Sequence, residues 1–299
     1  MTKKYFLLSV IIFPAIIALF PSCSKFDPPE VIPAYGHVSV IKLDTTNNSQ
    51  GSPSNMGITD AWVYVDENPV GAFQMPCTFP IVVPTGYHNV LIFAGTEDDG
   101  LSAQRTKYPF YTAYSINTTL TQGSVVSFTP TVTYQTWTNF AWLEDFESPF
   151  TTLYDTIAYS SDTGLVVISK TSNPNVFDGN HSGAVYLVGA NSKTHFRGYT
   201  SSFNLLNDGN PVYLEMNYKT DASFAVGLLY AGTSTYSGQT VPIVYVDTAS
   251  TWKKMYVNIS QTLVSTNSGA FKIYFDMLLP GGQPTAALYL DDLKLLTHK

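Results

Sequence analysis

The chain has 299 residues, 44 % of them hydrophobic, which is room for two domains of ordinary size with a core in each. Charged residues make up only 12 %, the net charge is −7 and arginine occurs only at Arg105 and Arg197, so the chain offers no cationic face for a phosphate backbone and nucleic-acid binding is not expected. Abundant Tyr and Phe, few charges and two cysteines are the composition of an extracytoplasmic β-protein.

At the N-terminus, Lys3 and Lys4 precede an apolar run from Tyr5 to Phe20, broken by Pro14 and followed by Pro21-Ser22-Cys23. A charged start, an apolar stretch too short to span a bilayer and a small residue before a cysteine mark a processed segment. The stretch resembles a bacterial lipoprotein signal, although Phe20 stands where leucine is more usual. The resemblance implies a signal peptide over 1–22, lipidation of Cys23 and an outer-membrane protein held by acyl chains; a plain secretory signal with a chance cysteine is the alternative. Each buried methylene contributes about 0.8 kcal/mol, so more than one chain gives stable anchoring. Cys77 then has no disulfide partner and is expected to be buried and inert.

Residues 23–34 carry three prolines and no periodicity, the pattern of a semi-extended tether. From 35 to 136, His37–Leu43, Ala61–Asp66, Val90–Ala94 and Ser124–Phe128 alternate or are β-rich, separated by a polar loop over 44–55 and by turns at Thr85-Gly86 and Gln122-Gly123. About seven strands in about 100 residues fit an immunoglobulin-like β-sandwich. The run Val63–Asp66, Val70-Gly71, Pro76 and Pro84–Val90 resembles PEGA-type and carboxypeptidase-regulatory-like β-domains, which implies a spacer or interaction domain and no chemistry.

Residues 135–141 read as a link, its two aromatics arguing for a packed junction. The second domain, 137–299, has strands at 183–188, 194–199, 212–219, 224–230, 241–246, 254–259, 271–278 and 287–296, with turns at 207–210 and 280–282, the pattern of an all-β jelly-roll β-sandwich. Glu144-Asp145-Phe146-Glu147, Phe177-Asp178-Gly179-Asn180 through Val185, Thr251-Trp252 through Ile259 and Leu288-Tyr289-Leu290-Asp291-Asp292 through Leu295 occur in the order of, and resemble, landmarks of galactose-binding-like jelly rolls, the group that includes many carbohydrate-binding modules. The resemblance covers about 155 residues and implies a non-catalytic fold that binds glycan.

The opening and closing strands of such a sandwich can lie side by side, bringing their acids together. Converging carboxylates repel unless a cation neutralises them, and calcium accepts many oxygens in loose geometry. By the resemblance, Glu147, Asp291 and Asp292 map as ligands of a structural Ca2+; solvated strand ends, or pairing with Lys294, is the alternative. The same acids invite a glycosidase reading, but they lack the spacing of jelly-roll glucanases and sit at the domain's first strand, so no enzyme is expected. The five histidines show no metal-ligand spacing and no paired nucleophile.

Taking Val212, Leu214, Met216 and Tyr218 as core-facing leaves Tyr213, Glu215, Asn217 and Lys219 outside, and the same division leaves Tyr256 with Asn258, and Tyr274 with Asp276, outside on two further strands. Aromatic rings beside amides and carboxylates suit the apolar face and the hydroxyls of a sugar. Tyr230, Tyr236 and Arg197 beside Tyr199 complete the expected ligand set; the alternative is a solvated sheet surface. The reading is a monomeric cell-surface lipoprotein that binds polysaccharide, with an adhesive, fimbrial-like subunit exchanging Val38–Leu43 as the competing one.

Overall fold

The computed structural model describes residues 32–45, 57–155, 159–230, 240–266 and 269–299. The signal segment, Cys23 and Tyr236 lie outside the described residues. Among those described, the chain is all-β: one helix of two turns accompanies 23 strands, and no helix is long and apolar enough to cross a membrane.

The first unit contains β1 Ala34–Val38, β2 Lys42–Leu43, β3 Ile58–Val65, β4 Asn68–Gln74, β5 Cys77–Ile81, β6 Gly86–Glu97, β7 Arg105–Lys107, β8 Tyr114–Leu120, β9 Val125–Phe128 and β10 Thr131–Val132. One sheet runs β5-β1-β9, extended by the pair β10-β2; the other runs β4-β3-β6-β7, with β8 also on β6. Alternation decides which side chains enter the core between them: Val63, Val65, Val90 and Ile92 from one sheet meet Val38, Phe79 and Ile81 from the other. The expected single strand over His37–Leu43 is two, interrupted by a bend at Ser39. Val38 is paired on both sides, with Cys77 and with Phe128, so exchanging this segment would break two ladders. Cys77 is half-buried, its thiol 3.8 Å from the Val38 carbonyl, and burial pushes its pKa up.

The second unit contains β11 Thr138–Glu144, β12 Tyr154–Asp155, β13 Asp162–Thr163, β14 Leu165–Ser169, β15 His181–Val188, β16 His195–Tyr199, β17 Phe203–Leu205, β18 Tyr213–Thr220, β19 Phe224–Tyr230, β20 Thr240–Val246, β21 Ala249–Asn258, α1 Ile259–Thr266, β22 Gly269–Leu278 and β23 Thr285–His298. Its sheets form a β-sandwich. One, the docked sheet, runs β14-β15-β23-β18-β21, with β11 on β23; the other, the open sheet, runs β12-β16-β22-β19-β20, with β13 on β16 and β17 on β22. Phe146, Leu214, Met216, Leu288 and Leu290 of the first meet Phe196, Phe224, Phe271, Phe275 and Met277 of the second in one core. The first and last strands of the unit do pair: β11 runs antiparallel to β23 from Thr138↔His298 to Glu144↔Leu293. Residues 138–141, expected as linker, are thus the start of β11, because β23 extends to His298 and supplies a partner for them.

Part of the outer face of the docked sheet is buried against the first unit. Glu215, fully buried, accepts hydrogen bonds from Tyr108 (2.8 Å) and Tyr134 (2.9 Å) of the first unit and pairs with Lys254 Nζ at 2.6 Å. Burial alone would raise the Glu215 pKa, but Lys254 and Lys294 outweigh it and hold it low; for Lys254 the attraction of Glu215 likewise overcomes burial. Around this group, Tyr108 packs edge-on against Tyr111, Tyr213 and Tyr256 with ring centres 4.6 to 5.2 Å apart, and Tyr111 and Tyr256 share a hydroxyl contact of 3.1 Å. At the margin, Asp98 accepts from Tyr213 and from Asn258, and Asp99 accepts from the Asn258 backbone. Removing one member of such a group leaves the rest charged or unbonded in a dry interior, which costs about 3–5 kcal/mol. Glu215→Ala should therefore lower the unfolding free energy by about that amount in chemical denaturation, whereas Tyr87→Ala, at an exposed site of the first unit, should change it by less than about 0.5 kcal/mol.

Candidate functional site

The acids at the start of β11's following loop and in β23 do meet. Asp145, Glu147, Asp178, Asp291 and Asp292 line a small cavity of about 70 Å3. Simple alternation would put Asp291 and Asp292 on opposite faces; a register shift between Glu215 and Asn217 against β23, with Asp292 at φ 47°, lets both reach the same hollow. Phe146, also at positive φ and wholly buried, turns the chain so that Glu147 reaches the Asn180 and His181 backbone amides (2.7 and 2.8 Å) and the His181 ring (3.2 Å). Asp291 accepts from Ser182 Oγ at 2.5 Å and from the Asp178 amide, and Asp292 accepts from Asn217 Nδ2 at 3.3 Å. Glu144 is spent differently: it is buried and accepts from the Phe146 amide and from Thr151 and Thr152, holding the loop closed.

Burial, opposed by the Ser182 hydrogen bond and helped by the neighbouring Asp292, pushes Asp291 up to about 8. Among the described residues, no group of three or more His, Cys, Asp or Glu side chains is placed to hold a metal ion. Glu147, Asp291 and Asp292 share the cavity while each carboxylate is satisfied by its own donors.

The ligand set read from alternation divides in the structure. Tyr213, Glu215 and Tyr256 are buried against the first unit, Asn258 is half-buried and bonded to its Asp98 and Asp99, and Asn217 is buried against Asp292. Alternation along the strand gave their side correctly and could not show that another domain covers that side. Tyr230 is half-buried, its ring 4.7 Å from Phe271 and its hydroxyl 3.5 Å from the Thr266 carbonyl, so it belongs to the sandwich edge. Tyr274 and Asp276 lie on β22, in the other sheet.

The outer face of the open sheet carries the remaining candidates. Arg197↔Asp276 and Asp276↔Ala225↔Tyr245 make one row across four strands, and Tyr199↔Tyr274↔Gly227 the row beside it. Gly227 permits this: a Cβ there would sit 2.7 Å from the Tyr274 ring, which instead lies across β19. Tyr274 is 5 % exposed, and burial, helped by Asp276, pushes its hydroxyl up to about 12, so it stays neutral. Tyr245 and Tyr154 at the two margins are 72 % and 51 % exposed, Tyr154 with its ring 6.1 Å from Tyr199. Lys272 Nζ stands 4.4 Å from the Tyr199 ring centre. Arg197 Nε donates to Asp276 at 3.0 Å, and the His195 ring bridges Asp162 (3.1 Å) and Asp276 (3.2 Å). Fixed rings flanked by an anchored guanidinium and carboxylate can take up apolar ring faces and hydroxyl groups. Tyr245 was legible as the outward member of Val244-Tyr245-Val246; Tyr154, on a strand of two residues, left no periodic signal.

No protein-family model and no curated protein matches the chain. Among solved structures, the K1 cleaved adhesin domain of Lys-gingipain from Porphyromonas gingivalis is similar at 15 % identity and a TM-score of 0.40, over 52 % of this chain and 96 % of that one. The CBM22-2 xylan-binding domain from Paenibacillus barcinonensis is similar at 15 % identity and 0.37, over 53 % of this chain and 99 % of that one. A carbohydrate-binding module of the β-sandwich superfamily aligns over 89 % of this chain and 99 % of its own at 14 % identity and 0.30. At these scores none of them decides a fold or a ligand for this chain.

The Asp291 pKa has a definite consequence. A carboxyl raised in the folded state binds its proton there and not in the unfolded chain between about pH 4 and pH 8, so its contribution to stability is present below that window and is lost as pH rises through it. Asp291→Asn should raise the melting temperature at pH 8 by several degrees, change it little at pH 4, and flatten the decline between, as read by thermal denaturation monitored by circular dichroism.

Proposed function

We propose that the protein is a non-catalytic surface lipoprotein that captures polysaccharide on the outer face of the open sheet, the first unit serving as an immunoglobulin-like spacer and the second as a glycan-binding jelly roll. The observation that carries the reading is the set of exposed Tyr154 and Tyr245 with half-buried Tyr199, Arg197 and Asp276 on the outer face of the open sheet. The landmarks' resemblance to galactose-binding-like jelly rolls supports the same substrate class. Lys3, Lys4, the apolar run and Cys23 support a lipid anchor at the outer membrane. The commitment of Glu144 to its loop and of Glu147 to the Asn180 and His181 amides favours binding over hydrolysis. The doubly paired β1 favours a monomer over a strand-exchanging adhesive subunit, and light scattering of the purified protein should report one copy.

Affinity electrophoresis through gels containing soluble xylans, galactans, glucans and mannans should show retardation by at least one. Tyr245→Ala and Tyr154→Ala should each weaken it by about 1–2 kcal/mol, a factor of roughly 5 to 30. Unretarded migration through the whole panel would sink the reading.

A structural calcium ion at the acid cavity is part of the proposal. Five acidic residues around one hollow and the raised pKa of Asp291 support it: a divalent cation would favour the ionised form that burial opposes. Glu147, Asp291 and Asp292 would draw together from their present positions to hold it, Asp291 giving up its proton, and the ion would brace the loop after β11 against β23. Calcium added after chelation should raise the melting temperature at pH 8, with magnesium less effective and Asp291→Asn unresponsive; identical melting curves with calcium and with chelator would remove the ion from the account.

A further inference from the structure

The first unit covers only part of the docked sheet. Beyond its edge, on the same outer face, lies an open pit of about 220 Å3 whose lining includes Asn175, Lys219, Asp221, Ser250, Ala287 and Tyr289. Three strands and a loop build it. Lys219 on β18 stands directly opposite Tyr289 on β23, and Ala287, one outward position away on β23, stands opposite Tyr186 on β15. Ala287 contributes only a methyl group to the lining, beside Tyr289, whose ring meets that of Tyr186 edge-on at 6.1 Å.

Its polar groups are held in place. Lys219 Nζ donates to Asn175 Oδ1 at 2.7 Å, which uses one of three N–H groups. The Asp221 carboxylate is anchored by the Ala287 amide at 2.7 Å, using one of about four acceptor positions. Pre-positioned donors and acceptors lose little entropy when a ligand arrives.

The charges on the lining decide what the pit selects. A phosphate or carboxylate would meet Asp221, and an ammonium would meet Lys219, so neither sign of ligand is favoured. A neutral molecule with hydroxyls in several directions can donate to Asp221, accept from Lys219, do both with Asn175 and Ser250, and lay its C–H face on Tyr289. The volume admits one ring and not a chain laid lengthwise.

We propose that this pit is a second, independent glycan site, which takes a single neutral pyranose, the terminal or branch residue of a polysaccharide. It lies on the opposite sheet from the band of tyrosines around Tyr199, so one molecule could engage a chain along one face and a chain end on the other, with the gain in avidity that two linked sites give.

The probes are the methyl glycosides of glucose, galactose, mannose and N-acetylglucosamine at low-millimolar concentration, observed by saturation-transfer difference NMR with the purified protein. At least one should receive saturation from the protein. Ala287→Leu, which fills the floor, should abolish the transfer, and Tyr87→Ala, at an exposed site of the first unit, should leave it intact. Circular dichroism checks that each variant is folded; if Ala287→Leu is not, Lys219→Met, at the rim, decides in its place and should reduce the transfer at least about fivefold. Silence from all four glycosides, transfer that survives the pit variants, or transfer lost in Tyr87→Ala would each overturn the proposal. Because the polysaccharide retardation assigned to the open sheet depends on Tyr245 and Tyr154, failure there and failure here are separately visible.

Discussion

One buried carboxylate determines how the two halves of this molecule are used. Glu215 sits in the middle of a strand, sealed from water, with its charge balanced by Lys254 of the next strand and its remaining lone pairs taken by Tyr108 and Tyr134 from the other domain. A charge in that position is tolerable only while all its partners are present, so the two units are fixed relative to one another. Exposed ion pairs would not impose this, because water can replace either partner at little cost.

The position of the first unit then assigns roles to the remaining surface. One end of the docked sheet is interface, its margin holds the acid cavity, and the part beyond it keeps an open pit. On the outer face of the other sheet, small residues, Gly227 and Ala225, alternate with rings and charges so that Tyr274 can lie across a neighbouring strand. The interface and the acid cavity are also electrostatically connected. Lys294, buried and with its pKa lowered by burial and by Lys254, feels the attraction of both Glu215 and Asp292. A change of charge at Asp292 is therefore felt where the domains meet.

Most strands were legible because half-buried β-segments alternate with a period of two, and the strands from β15 to β23, apart from the three-residue β17, fall within a few residues of the segments that alternation marks. The pairing of the unit's first and last strands was legible from the acids that bracket it. Less was visible where the rule of two breaks down. Two residues of β12 are too few to show a period; 138–141 resembled a linker until β23 supplied a partner; and the register shift at Asp292 brings together two acids that alternation separates.

The amino-acid sequence by itself determined the class of the protein, the order and approximate bounds of its strands, and which side of each strand is apolar, because these depend on local stereochemistry and on the partition of side chains between water and core. Only the tertiary structure decided what each polar side faces. Tyr213, Glu215 and Tyr256 carry the same local pattern as Tyr199 and Asp276, yet the first group is buried between domains and the second lies on the outer face of the open sheet. The difference lies in contacts made across more than a hundred residues of chain, such as Tyr108 to Glu215, and local periodicity carries no information about a partner so distant.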